Sequence, residues 1–321
     1  MQQEKKILLL DAGDLFFKKF ASPHPKDELN GLTEKAHLIV ESLNLMGYDA
    51  IGIGDDDLSL GKEFLLELSG KAKFPFLSSN LLDEKSGKLL FQSYLVKEMK
   101  GLKIGIFSLL SPETFLTSSD PRKKGIIVRD PIETAQEMIR ELGPKTDILI
   151  LLSHQGYSKD TELAQRVDGI QIIAGAHTGT SLNNPPVFKD TVILQNYPKG
   201  MYATRLDLNL LNNKKAFYNI RTKQALESNL SKLELQLASP RTPEAEKAQW
   251  QKAKENTTKA LQQFEGKNQF AYSVFSLSDA VGDDPEIKKM VDEYKSKFPE
   301  KSEAPVHDSR GSYTPKPVEP K

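Results

Sequence analysis

Acidic and histidine residues cluster in four short loops, each placed directly after a run of apolar residues. In chain order the loops read Asp11-Ala12-Gly13-Asp14, Gly54-Asp55-Asp56-Asp57, Ser153-His154-Gln155-Gly156 and Gly175-Ala176-His177-Thr178-Gly179-Thr180. Carboxylate oxygens and imidazole nitrogens that converge from separate loops are common ligands of divalent metal ions. An aspartate after a strand is also a common helix cap or turn residue, so one such loop alone is a weak signal. The four loops together predict a metal site.

The apolar runs before these loops predict the strands that position them. Residues 7–10 and 48–53 indicate two buried strands, and apolar residues recur at helical spacing over 33–46, before Gly47. Parallel strands of such a βαβ unit end at the same edge of a sheet. The pattern continues with strands at 74–77, 91–97, 103–109, 147–152 and 170–174 and helices at 132–142 and 160–166. The sequence therefore predicts an α/β fold with its polar loops at the carboxyl edge of the sheet.

The composition excludes several classes of protein and site. Lys and Arg number 44, as do Asp and Glu, so no global field directs the chain onto nucleic acid or an anionic membrane. No apolar run approaches the roughly 18 residues of a membrane helix, and residues 1–6 carry no apolar signal sequence. Cysteine is absent, which excludes disulfides, thiolate metal sites and cysteine nucleophiles.

The main domain is expected to span residues 1–221. Three alternating segments at its end, 191–195, 204–210 and 216–221, are typical of antiparallel strands.

Three further segments are predicted after residue 221. Residues 222–266 form a helical hairpin, since Pro240 interrupts a helical pattern whose leucines, at 226, 230, 233 and 237, recur at four-three-four spacing. Residues 267–299 return to the main domain as a strand and a helix, and residues 300–321 are a disordered tail or linker. The leucine stripe is expected to form the hairpin core. The alternative is a protein partner that binds through the hairpin or the tail.

The order of the four loops carries a resemblance to a known family. Four segments carry it, in the order Leu8-Leu9-Leu10-Asp11-Ala12-Gly13-Asp14-Leu15-Phe16, 43–61, 153–156 and 175–180. They resemble successive motifs of the 5'-nucleotidases, a branch of the calcineurin-like metallophosphoesterases. The family's motifs read D-x-H, G-D, G-N-H-[DE], H and G-H-x-H, and the likeness covers roughly residues 7 to 211. It implies a metallophosphoesterase-type α/β/β/α sandwich, to which the hairpin is appended. It also implies two metal ions that clamp a phosphoryl group, nucleotides or related phosphoesters as ligands, and export to the periplasm or cell exterior.

Carried over residue by residue, the motifs assign four metal ligands. Asp14 falls on the bridging aspartate of G-D, and Asp55 falls on the asparagine of G-N-H-[DE]. His154 falls on the lone histidine, and His177 on the first histidine of G-H-x-H. The resemblance thus implies that these residues hold one divalent ion such as Mn, Zn or Fe. An aspartate in place of the asparagine keeps an oxygen donor.

Departures from the family pattern concern the second metal and catalysis. Gly179 stands at the second histidine of G-H-x-H. A D-x-H motif is expected before the first predicted strand, where only six residues stand, so the motif either lies upstream of Met1 or is absent. Asp56 is the candidate catalytic position, because the family has there a histidine that stabilises the transition state and helps to protonate the leaving group. An unperturbed aspartate at that position would repel a phosphate. Asp11 and Asp57 are candidates for orienting the ligands or for capping helices.

Three hypotheses about function follow. The first is a degenerate 5'-nucleotidase-like metallophosphoesterase that retains one metal position, with weak or absent phosphoester hydrolysis. The second is an active, remodelled phosphoesterase acting on nucleotides or related phosphoesters, and the third is a non-enzymatic interaction module of a larger protein. Metal content and turnover of a phosphoester discriminate among them.

Overall fold

The structure is a computed structural model that describes residues 7–17, 28–196, 200–212, 215–240 and 243–299; the tail predicted at 300–321 lies outside them. The α-helices of this part of the chain are α1 Leu29–Met46, α2 Lys62–Lys71, α3 Pro131–Leu142, α4 Tyr157–Arg166, α5 Ile220–Ala238, α6 Glu244–Gln262 and α7 Pro285–Lys297. Its strands are β1 Leu10–Asp11, β2 Ala50–Gly52, β3 Phe76–Leu77, β4 Leu81–Asp83, β5 Tyr94–Met99, β6 Leu102–Leu110, β7 Ile126–Val128, β8 Ile148–His154, β9 Ile172–Gly175, β10 Val187–Phe188, β11 Thr191–Gln195, β12 Tyr202–Asn209, β13 Phe217–Asn219 and β14 Asn268–Ser276.

The largest sheet has the strand order β10-β11-β9-β8-β6-β5. Its four inner strands run parallel, and β5 and β10 pair antiparallel at the two edges. β11 was expected to be antiparallel, and it is so only toward β10; toward β9 it pairs parallel, with Val192 opposite Ile172. All five residues of β11 are buried, as is typical of a strand covered on both faces.

Side-chain alternation along the central strands creates the layers of the fold. On β8, Ile150 and Leu152 point into a cluster shared with the sheets β1-β2-β3 and β12-β14-β13, whereas Leu149 and Leu151 point into a cluster shared with α3 and α4. A third cluster packs α1 and α2 against β2 and β3. The predicted α/β/β/α sandwich is confirmed.

Gly52 lets the carboxyl ends of two sheets approach each other. A Cβ atom at this position of β2 would lie 2.6 Å from Ser108 Oγ on β6 and 3.3 Å from Leu152 Cβ on β8. Only a glycine leaves room for this contact. The loops that follow β2 and β8 are thereby brought side by side.

The helical hairpin of α5 and α6 connects two neighbouring parallel strands. β13 pairs parallel with β14, Phe217 lying opposite Asn268, so the prediction of an antiparallel strand over residues 216–221 is wrong, and α5 already begins at Ile220. Parallel neighbours need a long crossover connection, and the hairpin supplies it. Leu233 of the predicted leucine stripe is buried, and the Phe264 ring lies 4.5 Å from that of Tyr218. The division of the chain into segments stays a prediction.

α7 packs against α1, where the Tyr294 hydroxyl donates to the Gly31 carbonyl at 3.0 Å. Among the described helices, none combines the length and the apolar composition needed to cross a bilayer.

Candidate metal centre

Asp14 projects from the loop after β1 in a left-handed backbone conformation, with φ of 62°. This conformation is uncommon for a residue other than glycine and persists where surrounding contacts fix it. Here the Asp14 N–H donates to Asp57 Oδ2 at 2.9 Å, and Asp14 Oδ1 accepts the Asp56 N–H at 2.8 Å. Its second oxygen, Oδ2, lies 3.1 Å from His154 Nε2. The loop thus presents one oxygen toward the imidazole.

Asp55 follows β2 and is buried. Its two oxygens have different surroundings, because Oδ2 accepts a 2.6 Å hydrogen bond from Arg122 Nη1 whereas Oδ1 faces two imidazoles. Oδ1 lies 3.2 Å from His154 Nε2 and 3.2 Å from His177 Nδ1. Asp55 therefore offers a single oxygen to the centre.

His154 ends β8 and is fully buried. Its Nδ1 lies 2.9 Å from the Ala12 carbonyl oxygen. A carbonyl can only accept, so Nδ1 carries the proton and Nε2 is directed at the two aspartates. A backbone carbonyl on the far nitrogen is a common way to orient a metal-binding histidine.

His177 lies in the loop after β9, with φ of 77° and a side chain that is 31% exposed. Its ring meets that of His154 edge to face, with centroids 5.3 Å apart. Since the Asp14 side chain is also 26% exposed, these two residues form the side of the centre that is open to solvent.

The structure brings the four predicted ligand residues together. Asp14, Asp55, His154 and His177 each offer one ligand atom, and these atoms lie within 4.8 Å of one another. Within the described residues, Asp55 Oδ1 and His154 Nε2 are buried without a hydrogen-bond partner, although they lie only 3.2 Å apart. Burying polar atoms unpaired is costly, and either a proton on His154 Nε2 or a metal cation between the two atoms would satisfy both. The residues present thus fit a divalent metal ion, and their role as ligands stays a prediction.

The charges of Asp14 and Asp55 favour the protonated form of His154. Burial alone would lower the pKa of His154, but the negative charges of Asp14 and Asp55 more than offset it, and the pKa lies well above its usual value. Burial likewise raises the pKa of Asp55, and its contacts with His154 and His177 outweigh this and hold it well below its usual range. Two carboxylates around a buried imidazole therefore attract positive charge.

Arg122 is a buried residue of the site that the sequence analysis missed. It lies in the 3-10 turn Pro121–Lys123, and its Nη1 donates at 2.6 Å both to Asp55 Oδ2 and to Asp56 Oδ1. Its Nε and Nη2 donate to the two oxygens of Asp120 at 3.0 and 2.7 Å. Asp56 is therefore not an unperturbed aspartate, because its charge is paired with that of Arg122. Three consecutive aspartates at 55–57 signal the need for a cation, but no local pattern identifies which one.

Asp57 fastens two of the loops to each other. Its carboxylate accepts the N–H groups of Gly54, Asp14 and Leu15 at 2.9 Å each and that of Phe16 at 3.2 Å. Burial, and secondarily the charge of Asp14, raise its pKa to about 7. Asp57 thus fixes the backbone that carries Asp14.

Asp11 is the last residue of β1, three positions before Asp14. Its Oδ1 accepts the Gly13 N–H at 2.9 Å, and burial raises its pKa to about 6. It shapes the turn that leads to Asp14.

The loops of the two histidines share a buried polar network. Asp160, at the start of α4, accepts the Ser153 hydroxyl and the Gln195 side-chain N–H, the latter at 3.1 Å. Burial raises the pKa of Asp160 to about 7. Gly175 is required beside it, since a Cβ there would lie 2.2 Å from Asp160 Oδ2.

Comparison with known proteins supports the resemblance to phosphoesterases. No protein-family model matches the chain. The chain is 28% identical over 281 residues to the trifunctional nucleotide phosphoesterase protein YfkN of Bacillus subtilis, covering 74% of this chain and 18% of the relative. It is 27% identical over 237 residues to a 5'-nucleotidase of Vibrio cholerae, covering 64% of this chain and 41% of the relative. The chain is a homologue of the 5'-nucleotidases. It spans less than half the length of these relatives.

Solved structures support the fold independently. The calcineurin-like phosphoesterase YfkN from Bacillus subtilis superposes with a TM-score of 0.58 at 19% identity, over 90% of this chain and 83% of the other. At this identity the likeness concerns the fold. The resemblance inferred from the order of the loops is confirmed.

Candidate metal ligands converge at one place in the described part of the chain. One group of three or more metal-binding side chains occurs there, and it is the one built by Asp14, Asp55, His154 and His177. Gly179, two residues after His177, has φ of 65° and offers no donor side chain.

Proposed function

We propose that this 5'-nucleotidase homologue binds one divalent metal ion through Asp14, Asp55, His154 and His177, and that its phosphoester hydrolysis is weak or absent. The observation that carries the proposal is the pair of unpartnered buried atoms, Asp55 Oδ1 and His154 Nε2. Two nitrogen and two oxygen donors suit Zn, Mn or Fe. Two carboxylates balance the charge of a divalent ion.

The ligand is proposed to be a phosphoester, with nucleotides as the leading class because the relatives are named nucleotide phosphoesterase and 5'-nucleotidase. A bound metal would supply a Lewis acid for a phosphoryl oxygen and an acidified water. The exposed side of the centre, formed by Asp14 and His177, is where a phosphate would approach. His154 holds its orientation through the Ala12 carbonyl.

Weak hydrolysis is proposed for two reasons. A family donor to the second metal is replaced by Gly179, and a single ion cannot clamp both the attacking and the leaving oxygen. Asp56 replaces the family's histidine and is held by Arg122. A carboxylate in an ion pair is a poor proton donor to a leaving group. Loss of one group that stabilises developing charge commonly lowers the rate about a hundred- to a thousandfold.

The test is hydrolysis of a nucleoside 5'-monophosphate and of 4-nitrophenyl phosphate by chelator-treated protein supplied with Mn, Zn or Co. We expect turnover far below the about 10 per second of an ordinary enzyme. His177→Ala should abolish any residual turnover, whereas His37→Ala, which alters a histidine packed on Phe64, should not. Turnover near the ordinary rate that requires His177 would overturn the proposal in favour of an active, remodelled enzyme. Export, implied by the resemblance, is tested separately by cell fractionation.

A further inference from the structure

We propose that Arg122 is a positioning residue of the metal centre, which holds Asp55 so that one oxygen faces the ion and which offsets the charge of Asp56. The inference rests on the proposed function, because it concerns the same site. Arg122 is 3% exposed, and its guanidinium reaches three carboxylates from two loops. Both terminal nitrogens of the guanidinium, Nη1 and Nη2, are therefore held by carboxylates.

Asp120 orients the guanidinium. It accepts the Arg122 backbone N–H at 3.0 Å as well as Nε and Nη2. A bidentate arginine–carboxylate pair fixes a plane as well as a distance. Nη1 is thereby directed at Asp55 and Asp56.

The hydrogen bond to Asp55 limits how that residue binds a metal. A free carboxylate can rotate or bind through both oxygens. In Asp55, Oδ2 is held at 2.6 Å by Arg122, so that only Oδ1 points toward His154 and His177. An asparagine, as in the family motif, presents one carbonyl oxygen without such help. Arg122 makes Asp55 act in the same way.

The same guanidinium also offsets the negative charge of Asp56. Asp56 stands at the motif histidine, and its Oδ1 shares Arg122 Nη1 with Asp55 at 2.6 Å. Two buried carboxylates on adjacent residues repel each other strongly without a cation. Asp55 and Asp56 stand where the family motif has Asn and His. Arg122 thus offsets the negative charge that these two aspartates add.

Mn²⁺ titration by calorimetry tests this inference on four proteins: the unaltered chain, Arg122→Lys, Arg122→Gln, and a triple variant that combines Asp55→Asn, Asp56→His and Arg122→Gln. Arg166→Gln serves as a matched control, since Arg166 makes an exposed pair with Glu162. Positioning predicts Mn²⁺ binding weaker by about 10- to 100-fold in both single variants. The triple variant should recover most of the loss, because Asn and His need no guanidinium.

Simple electrostatics predicts the opposite for Arg122→Gln, because removing a cation near the site tightens cation binding. Unchanged or tighter Mn²⁺ binding by both Arg122→Lys and Arg122→Gln would overturn the inference. If Arg122→Gln does not fold, Arg122→Lys decides, since it keeps a charge among the carboxylates but lacks the fork. The Co²⁺ absorption spectrum supplies a second readout, and it should change in Arg122→Lys. Failure of the unaltered chain to bind Mn²⁺ would instead contradict the proposed function itself.

Discussion

The Asp57 carboxylate accepts the backbone N–H of Asp14 at 2.9 Å, although 43 positions separate the two residues in the chain. The same carboxylate accepts the N–H of Gly54, which precedes Asp55. One buried acidic group therefore joins the loops after β1 and β2. The spacing of two proposed ligands depends on it.

Asp57→Asn should lower the free energy of unfolding by about 2–4 kcal/mol, because the amide loses the charge and turns two hydrogens toward backbone donors. Since burial raises the pKa of Asp57 to about 7, the comparison belongs at roughly pH 8, where the carboxyl is ionised. Urea unfolding in the presence of a chelator measures it. The matched control is Asp168→Asn, an exposed aspartate paired with Lys189. A loss no larger than that of the control would contradict this role.

Gly54→Ala should disturb the centre directly. A Cβ at residue 54 would lie 2.2 Å from Asp14 Oδ1 and 2.7 Å from His154 Cε1, so both side chains must move. We expect Mn²⁺ affinity to fall at least about tenfold. Gly70→Ala on α2 is the control, since a Cβ there meets nothing within 4 Å. Equal affinity in the two variants would show that the site tolerates the displacement.

Asp160 should make stability depend on pH. Its pKa is raised from 3.8 to about 7 by burial, so between these values the folded protein holds a proton that the unfolded chain has released. The stability it contributes is fully present below the unfolded pKa and is lost as pH rises through the folded pKa.

The asparagine in Asp160→Asn is neutral at every pH, so this variant does not lose stability in this way as pH rises. Its free energy of unfolding, relative to that of the unaltered chain, should rise by about 1.4 kcal/mol per pH unit between roughly pH 5 and 7. Urea titrations with chelator across this range measure it. A difference that does not vary with pH would mean that Asp160 is ionised throughout.

The helical hairpin is expected to be replaceable by a linker of sufficient length. β13 and β14 run parallel, and such neighbours need a crossover of about a dozen residues. Replacing residues 223–263 with a Gly/Ser linker of about that length keeps Phe264 against Tyr218 and should preserve cooperative unfolding. Loss of cooperative unfolding with this linker would show that the hairpin completes the core.

The elements that end at the centre could be predicted from the sequence because their signals are local. The apolar run that forms β8 leads directly into His154, and α1 ends at Met46, followed by Gly47 with φ of 73°. Alternation along a strand and a glycine after a helix depend on neighbours in the chain. The direction of β13 depends on its partner β14 and was therefore predicted wrongly.

The supporting contacts of the centre could not be predicted in this way. Arg122 lies 67 positions from Asp55, and its role depends on a meeting of two loops. The residues of the 55–57 run look alike in sequence, yet Asp55 faces the imidazoles, Asp56 pairs with Arg122, and Asp57 accepts backbone N–H groups. Tertiary contacts alone assign them different roles.

Metal content shows whether Asp14, Asp55, His154 and His177 hold a divalent ion. Protein stripped with chelator, then dialysed against Mn²⁺ or Zn²⁺ and freed of excess, should retain one ion per chain by elemental mass spectrometry, held by the four residues of the centre. His154→Ala and His177→Ala should each lose most of it, and His37→Ala should retain it. Absence of a bound ion in the unaltered chain, or full retention in His177→Ala, would contradict the account.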